Sequence, residues 1–235
     1  MQLRLLTRIE DRQVFAHMLV ETRILKGAGF GETARSLVGE AHLAFGKLYA
    51  LYDEQSGESH QMLAGFVLHD LGSFPQSYPR PDLTHFPPEE VLEMGELWAS
   101  VAGSARIVRQ AAQILIGLLK AKAVLVYPIV RPWNLSHPYD PDCDRLGDPI
   151  DWPYARTLDG GKIFVQAMVS QGEKLARMVE LAGRPGFVAN ADLTCINFHT
   201  PFPMSTRQRA RVCSTSEAGW LGNGGRRSRG LDCVA

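Results

Sequence analysis

Residues 91–130 read VLEMGELWA (Val91–Ala99), SVAGSARIVRQAAQILIGLLKAK (100–122) and AVLVYPIV (Ala123–Val130). The first segment is rich in strand-forming residues. The second, from about Ala105 to Lys122, has apolar residues at helical spacing with polar residues mostly opposite. The third is a continuous apolar run with β-branched residues, too short for a helix, which indicates a strand buried on both faces. Strand, helix and buried strand in this order predict a βαβ crossover between parallel strands.

The segments before this unit predict a strand, a helix and a hairpin. Leu3–Ile9 has the composition of a strand, and Asp11 is a candidate N-cap for the helix that follows it. Two β-rich runs, Lys47–Asp53 and Gln61–Asp70, are joined by a polar connection that contains glycine, which predicts a β-hairpin. The prolines between Ser73 and Glu90 exclude a continuous helix or a central strand there, so we predict a loop.

The segments after the unit predict a second loop and a further strand and helix. The expected order is a Pro- and Asp-rich loop over Arg131–Tyr154, a strand over Lys162–Val169, an amphipathic helix over Gln171–Ala182 and a last strand within Phe187–Phe198. From Ser205 the chain is rich in Arg, Ser and Gly. We therefore expect one domain over residues 1–200 and a disordered tail over 204–235.

Composition excludes several functional classes. The 235 residues carry 25 Lys+Arg and 25 Asp+Glu, so the formal net charge is zero, which argues against nucleic acid as a partner. The four cysteines have no CxxC spacing, which indicates free thiols in a reducing compartment. Residues 1–13 contain no apolar region followed by a small-residue cleavage site, and no apolar run reaches the roughly 20 residues that a transmembrane helix needs, so we expect neither a signal peptide nor a membrane span. These features predict a cytoplasmic protein.

The start of the central helix is a candidate anion site. The first backbone N–H groups of a helix, here from Gly103, Ser104 and Ala105, lack intrahelical partners, and the helix dipole adds positive charge. Arg106 and Arg109 lie in the first turns, where they could neutralise a diphosphate. The alternative is that Gly103 and Ser104 simply cap a core helix.

The order of elements resembles the GCN5-related N-acetyltransferase (GNAT) fold. This is a mixed α/β (α+β) fold in which helices flank a mixed sheet with a central βαβ unit. In that superfamily a Gln/Arg-x-x-Gly-x-Gly/Ala segment binds the diphosphate of coenzyme A. Here residues 100–105 read SVAGSA, which keeps the Gly103-x-Ala105 pair and places Ser100 where the basic or amide residue belongs. The resemblance implies an acyl-thioester co-substrate.

A narrower resemblance is to the acyl-homoserine-lactone synthases and long-chain N-acyl amino acid synthases. It rests on Glu93-Met-Gly-Glu96 in the central strand, Leu146-Gly-Asp-Pro149, and Gly160-Gly-Lys162 ahead of the last strand and helix. Glu96 stands where those enzymes carry arginine. The resemblance implies transfer of an acyl group from acyl-CoA, or from an acyl carrier protein (ACP), to a small-molecule amine such as an amino-acid-like compound, without a metal.

The resemblance also implies roles for particular residues. The thioester would lie between the strands Glu93–Ala99 and Ala123–Val130, with the pantetheine arm paired to the backbone of Leu97, Trp98 and Ala99. The amine must lose a proton, and Glu93 or Glu96 is the candidate base. These two lie on opposite faces of a regular strand unless a bulge intervenes. Tyr127 is the candidate acid that protonates the leaving thiolate.

Two other hypotheses remain open at this point. The departures at Ser100 and Glu96 are also what a catalytically degenerate acyl-binding or interaction module would show. Separately, the acidic residues between Asp140 and Asp151 match five positions of a calcium-loop template, although Arg145 replaces the glycine that the turn requires. His69 and the other scattered histidines have no metal-ligand spacing.

Overall fold

The computed structural model describes residues 1–25, 28–29, 46–53, 61–71, 90–100, 104–128, 130, 143–157 and 159–199. Among these, the helices are α1 (Ile9–Leu25), α2 (Ser104–Leu119) and α3 (Gly172–Ala182). The strands are β1 (Gln2–Leu5), β2 (Ala28–Gly29), β3 (Lys47–Tyr52), β4 (Met62–Asp70), β5 (Val91–Ala99), β6 (Ala123–Val126), β7 (Asp144–Arg145), β8 (Ile150–Thr157), β9 (Lys162–Val165), β10 (Met168–Gln171), β11 (Phe187–Ala189) and β12 (Cys195–Phe198).

Most of the described strands form one mixed sheet. Its order is β11-β12-β1-β3-β4-β5-β6-β10-β7, and β2, β8 and β9 form a second, three-stranded sheet. Strands β3 and β4 pair antiparallel as the predicted hairpin. Strands β5 and β6 pair parallel, with α2 between them in the chain. The mixed α/β class and the central βαβ unit are therefore confirmed.

Helices cover both faces of the large sheet. Alternate strand residues point to opposite faces, and both sets are apolar, so each face packs against a helix. On one face, Phe15 and Leu19 of α1 pack with Leu48, Val67 and Trp98. On the opposite face, buried residues of α2, β6 and α3 form another cluster, whose members are Ile116, Val124, Leu175 and Met178. We call the first face the α1 face and the second the α2/α3 face.

Three predicted boundaries move, each for a local reason. Helix α1 starts at Ile9, and the N–H of Arg12 donates to the carbonyl of Arg8, so Asp11 lies in the first turn and is not the cap. Helix α2 begins at Ser104 and ends at Leu119, because Lys120 takes a left-handed backbone with φ of 55°. The run Phe187–Phe198 forms two paired strands, β11 and β12, in place of one.

The region predicted as a loop and a single strand is more regular than expected. Within the predicted loop over Arg131–Tyr154, β8 already begins at Ile150. The predicted strand over Lys162–Val169 divides into β9 and β10. The division arises because the two halves have different neighbours: β9 pairs with β8, whereas β10 pairs with β6.

The loop predicted over Ser73–Glu90 and the tail predicted over 204–235 lie almost entirely outside the described residues, which resume at Glu90 and end at His199. In the described part, no helix combines the length and the apolar character needed to cross a membrane. Cys195 is a free thiol there.

Candidate active site

The two parallel strands of the central unit, β5 and β6, separate halfway along β5. Their parallel register runs from Val91 opposite Ala123 to Met94 opposite Val126 and ends there. Strand β5 continues to Ala99, still paired with β4. The chain after β6 turns to β9 instead, since the N–H of Val130 donates to the carbonyl of Phe164 at 2.8 Å. The backbone of β5 beyond Met94 therefore has no β6 residue opposite it.

A β-bulge lies at the point where the strands separate. Val67 of β4 is opposite Gly95, but Gly65 is opposite Trp98, so two residues of β5, Glu96 and Leu97, face one residue of β4. Glu96 has a φ of 50°, in the left-handed region that non-glycine residues rarely adopt. The bulge shifts the alternation by one residue. As a result Glu93, Gly95 and Trp98 all point to the α1 face.

In the described part of the chain, no side chain fills the space next to Gly95. A Cβ built at Gly95 would meet no described heavy atom within 4 Å. On the neighbouring strand β4, a Cβ at Gly65, which is opposite Trp98, would lie 2.4 Å from Cε2 of Phe15 and 2.8 Å from the carbonyl oxygen of Tyr49. Among the described residues, the α1 face is thus filled by α1 over β4 and left open over β5 at the start of the separation.

Glu93 lies beside this opening and is almost fully buried, at 1% exposure. Its Cα partners are His69 on β4 and Leu125 on β6. Tyr127 follows two residues after Leu125, and its hydroxyl oxygen is buried. The Tyr127 ring lies 6.4 Å from that of Trp152 in β8. The structure therefore brings two predicted groups, a carboxyl and a phenol, to neighbouring strands.

The remaining β5 residues differ in what they can offer a ligand. Glu96, Leu97 and Ala99 are half-buried. The side chain of Trp98 is 1% exposed and meets Phe15 edge to face, with ring centroids 5.4 Å apart. Trp98 therefore packs in the core, and only its main chain is left to contact a ligand.

The start of α2 differs from the sequence interpretation in one respect. The hydroxyl of Ser104 is buried and donates to the carbonyl of Leu63 at 3.4 Å. The same carbonyl accepts the hydroxyl of Ser100 at 2.7 Å and its N–H at 3.0 Å. These hydrogen bonds connect β4 to the first residue of α2 and to the chain just before it. The two hydroxyls point to the sheet and not to a phosphate, so Ser104 could contribute only its main chain to a diphosphate site.

The other predicted groups at this helix end are accessible. Ala105, Arg106 and Arg109 are exposed on the first turns of α2. Gly103 lies outside the described residues. The two arginines therefore remain the candidate cations for an anionic group placed at the start of the helix.

The calcium-loop hypothesis finds no support in the described part of the template. Asp151 lies in β8, and its carboxylate pairs with Lys162 at 3.0 Å and with Arg156 at 3.6 Å. Asp144 forms an ion pair with Lys174. The carboxylates of Asp144 and Asp151 are thus occupied by cations of the chain itself. Among the described residues, no three His, Cys, Asp or Glu side chains are arranged to hold a metal ion.

Sequence reasoning missed one residue of this region. His69 is 1% exposed and directly opposite Glu93. The sequence contained a signal for it. His69 directly follows the apolar run Met62–Leu68 and is the only ionisable residue between Met62 and Asp70. Strand β4 is buried from Met62 to His69, so a histidine there is enclosed by the sheet and the helices.

Comparison with solved structures identifies the fold. FeeM, an N-acyl amino acid synthase from uncultured soil microbes, superposes with a TM-score of 0.50 at 10% identity, covering 77% of this chain and 97% of that chain. Spermidine N-acetyltransferase from Vibrio cholerae, in complex with CoA and spermine, gives a TM-score of 0.47 at 13% identity over 74% and 96% of the two chains. The comparisons with protein-family models and with curated proteins find no match.

The match to FeeM covers nearly all of that protein, and it agrees with the layout expected from the sequence. At this level of identity the likeness concerns the backbone arrangement alone. The chain therefore has the GCN5-related N-acetyltransferase fold.

Proposed function

We propose that this chain is an N-acyltransferase. It would move an acyl group from a phosphopantetheine thioester, carried by coenzyme A or by an acyl carrier protein, to a small-molecule amine such as an amino-acid-like compound. The observation that carries the proposal is the separation of β5 from β6 after Met94, together with the open space at Gly95. An exposed strand backbone can pair with the amide groups of a pantetheine arm, and Leu97–Ala99 supplies such a backbone.

Glu93 is the proposed base because its side chain lies on the α1 face of β5 and its Cα partner on β6, Leu125, is two residues before Tyr127. The reaction consumes a thioester and an ammonium ion and yields an amide, a thiol and one proton. Glu93 takes a proton from the ammonium group, so the nitrogen lone pair can attack the thioester carbon. When the C–S bond breaks, Tyr127 donates its proton to the thiolate and later regains one from the nitrogen. Glu96, within the bulge, is the alternative base.

The start of α2 is the proposed site for the diphosphate of coenzyme A. The helix dipole and the first N–H groups favour an anion at this end, and Arg106 and Arg109 add charge. A carrier protein would present a phosphopantetheine with one phosphate to the same end. Since both sources share the pantetheine arm, the test must include both.

The test measures thiol release by the purified full chain with acyl-CoA of increasing length, and separately with acyl-ACP, each with and without a pool of amines. We expect release that depends on the amine. Glu93→Gln and Tyr127→Phe should each lower kcat by about 100-fold, the effect of removing a general base or acid. Glu173→Gln, on an exposed turn of α3, and Tyr49→Phe, on β3, are the matched controls and should leave the rate unchanged.

The same measurement separates the enzyme from a binding module. The serine hydroxyls that bond to Leu63 are what favour a degenerate module, because neither is offered to a ligand. Thermal stabilisation by acyl-CoA without thiol release would support the module and contradict the enzyme. Turnover that survives both Glu93→Gln and Tyr127→Phe would contradict the mechanism.

A further inference from the structure

A histidine and a glutamate lie opposite each other inside the sheet. His69 on β4 and Glu93 on β5 are Cα partners in antiparallel register, so their side chains project on the same face. Both are 1% exposed. The residues that share this face around them are apolar, and include Val67, Val91 and Leu125. Two ionisable groups therefore share a small buried region with aliphatic neighbours.

The energetics of such a pair distinguish it from ordinary core packing. Removing a single charge from water costs several kcal/mol, so a lone ionised Glu93 or His69 would be unstable at this depth. A histidine beside a carboxylate lowers that cost, because the two can share a proton or form an ion pair. Aliphatic side chains of similar size would be at least as stable in this position. Fold stability alone therefore gives no reason for the pair.

The location of the pair suggests what it does. Glu93 is one residue before Met94, where the pairing of β5 with β6 ends, and two residues before Gly95, where the open space begins. His69 is one strand further from the opening, on the side covered by α1. Glu93 is thus placed to meet a ligand, and His69 is placed to meet Glu93.

We propose that His69 is a positioning residue whose cationic ring keeps Glu93 ionised for the reaction. The inference rests on the proposed function for the identity of the ligand, but the pairing itself is a property of the free protein. It makes His69 and Glu93 a buried pair of opposite charges, in which the histidine acts only through the carboxylate and does not touch the substrate.

The proton balance of the pair is simple. The ammonium N–H bond breaks and an O–H bond forms on Glu93. Glu93 then releases this proton to water, and the cationic ring of His69 favours the return of Glu93 to its ionised form. Histidine is suited to this role because a neighbouring carboxylate can keep its ring protonated at neutral pH. The released proton is the one proton that the overall reaction produces.

Other titratable groups on the surrounding elements also contribute to the pH dependence of the His69–Glu93 pair. Arg12 of α1 donates to the carbonyl of Gly46 at 3.0 Å, next to β3. Burial lowers the pKa of Arg12 without removing its charge. Among the described residues, the elements that form the α1 face carry further titratable or charged groups: Tyr52, Glu96 and Tyr127, and on α1 Glu10, Asp11, Arg12, His17 and Glu21.

The first experiment follows the ring signals of His69 by NMR as the pH changes, in the free wild-type protein and in Glu93→Gln. The His69 signals are assigned by their loss in His69→Gln. We expect the titration midpoint of His69 to fall by about 1 pH unit in Glu93→Gln, because the carboxylate stabilises the cationic ring. Exposed His17 and His199 are internal controls and should not move. An unchanged His69 midpoint would overturn the proposal, whether or not the protein is active.

The second experiment uses activity and separates a proton role from a structural one. In His69→Gln the acidic limb of the kcat/KM profile should move to higher pH by about 1 unit, because Glu93 without its cationic partner is harder to ionise. A uniform loss at all pH values would indicate a structural role and contradict the proposal. His17→Gln is the surface control. If the NMR shift occurs but no amine is acylated, the proposed function fails and the pair stands.

Discussion

Strand β5 has two neighbouring strands, and it pairs with one of them over twice the length that it pairs with the other. Strand β4 pairs with it from Leu92 to Ala99, through a bulge, whereas β6 pairs with it only from Val91 to Met94. The β4 side is closed by α1, whose Phe15 reaches the backbone at Gly65. Beyond the pairing with β6, the described residues leave space at Gly95 on the α1 face, and Glu93 is buried beside it. The side paired with β4 thus contributes packing that stabilises the fold, and the space at Gly95 could accommodate a ligand.

The bulge affects the pairing of β5 on both edges. It is formed with β4, and it also changes the edge that faces β6, where the backbone of Glu96 and Leu97 no longer follows regular pleating. Because bulges add twist and bend a strand, a bulge at this place turns the end of β5 away from β6. The contrast between the two edges leads to four predictions, of which the first concerns the closed side.

The largest effect is expected at Gly65. Gly65→Ala should lower the free energy of unfolding by about 3 kcal/mol, because the new methyl group would overlap the Phe15 ring and the Tyr49 carbonyl. The measurement is urea denaturation followed by circular dichroism. Gly95→Ala is the matched control on the facing strand, and should change stability by less than about 0.5 kcal/mol. Equal losses at both positions would mean that the two sides of β5 are packed alike.

The next effect is expected where α2 crosses α3. A Cβ at Gly117 would lie 2.5 Å from the carbonyl oxygen of Met178 and 2.8 Å from Cβ of Ala182. Gly117→Ala should therefore cost about 1–2 kcal/mol, since the clash outweighs the gain in helix propensity.

Gly183→Ala, at the C-cap of α3, is the control for that helix crossing. The closest atom to its added Cβ is 3.5 Å away, an ordinary contact. Its midpoint in urea should stay close to wild type. A larger loss at Gly183 than at Gly117 would show that the helix end, and not the crossing, limits stability on the α2/α3 face.

The third prediction concerns the open side. Gly95→Leu should weaken binding of acyl-CoA at least about tenfold, which corresponds to about 1.4 kcal/mol, while the fold remains intact. The leucine side chain would occupy the space that the thioester is proposed to use. Isothermal titration calorimetry measures the affinity, and urea denaturation shows whether stability is preserved. Unchanged affinity in a folded Gly95→Leu protein would remove the opening as the thioester site.

The smallest effect belongs to Tyr49, on the closed side. Burial, and to a lesser extent the charge of Asp192, raises the pKa of Tyr49 to about 12. Between pH 10 and 12 the unfolded chain loses this proton while the folded chain keeps it. Stability is therefore fully present below the ordinary pKa of about 10 and decreases as the pH rises above it. Urea midpoints at pH 8 and pH 11 measure the decrease.

Tyr49→Phe tests whether Tyr49 causes that decrease. The variant should lose less stability than the wild type between the two pH values, because Phe has no proton to release. Tyr52 is a related case, since burial also raises its pKa. An identical pH dependence in wild type and Tyr49→Phe would assign the decrease to other groups.

Much of the fold could be predicted because its signals are local. The alternation and composition of Val91–Ala99, the helical spacing after Ser104 and the apolar run from Ala123 each depend on neighbouring residues. Errors occurred where tertiary pairing changed a local pattern. The run Lys162–Val169 has uniform strand composition, but its two halves pair with different strands.

The candidate site was predictable only in outline. Arg106 and Arg109 were named from their position at the start of a predicted helix, and Glu93 and Tyr127 from the resemblance to a known fold; their roles are still predictions. The sequence could not place Ser104, whose hydroxyl is directed to Leu63 of a strand about forty residues earlier. It also gave no reason to connect His69 with Glu93, since their relation depends on strand register.

The sequence by itself determined the helices and the central strands and the order in which they follow, because periodicity and propensity act over a few residues. The tertiary structure alone decided where β5 leaves β6, which residues the bulge turns to the α1 face, and that His69 lies opposite Glu93. Register and strand separation result from the packing of distant segments against each other. The order of the elements thus specifies the fold, while the pairing of strands far apart in the chain creates the opening and the buried groups beside it.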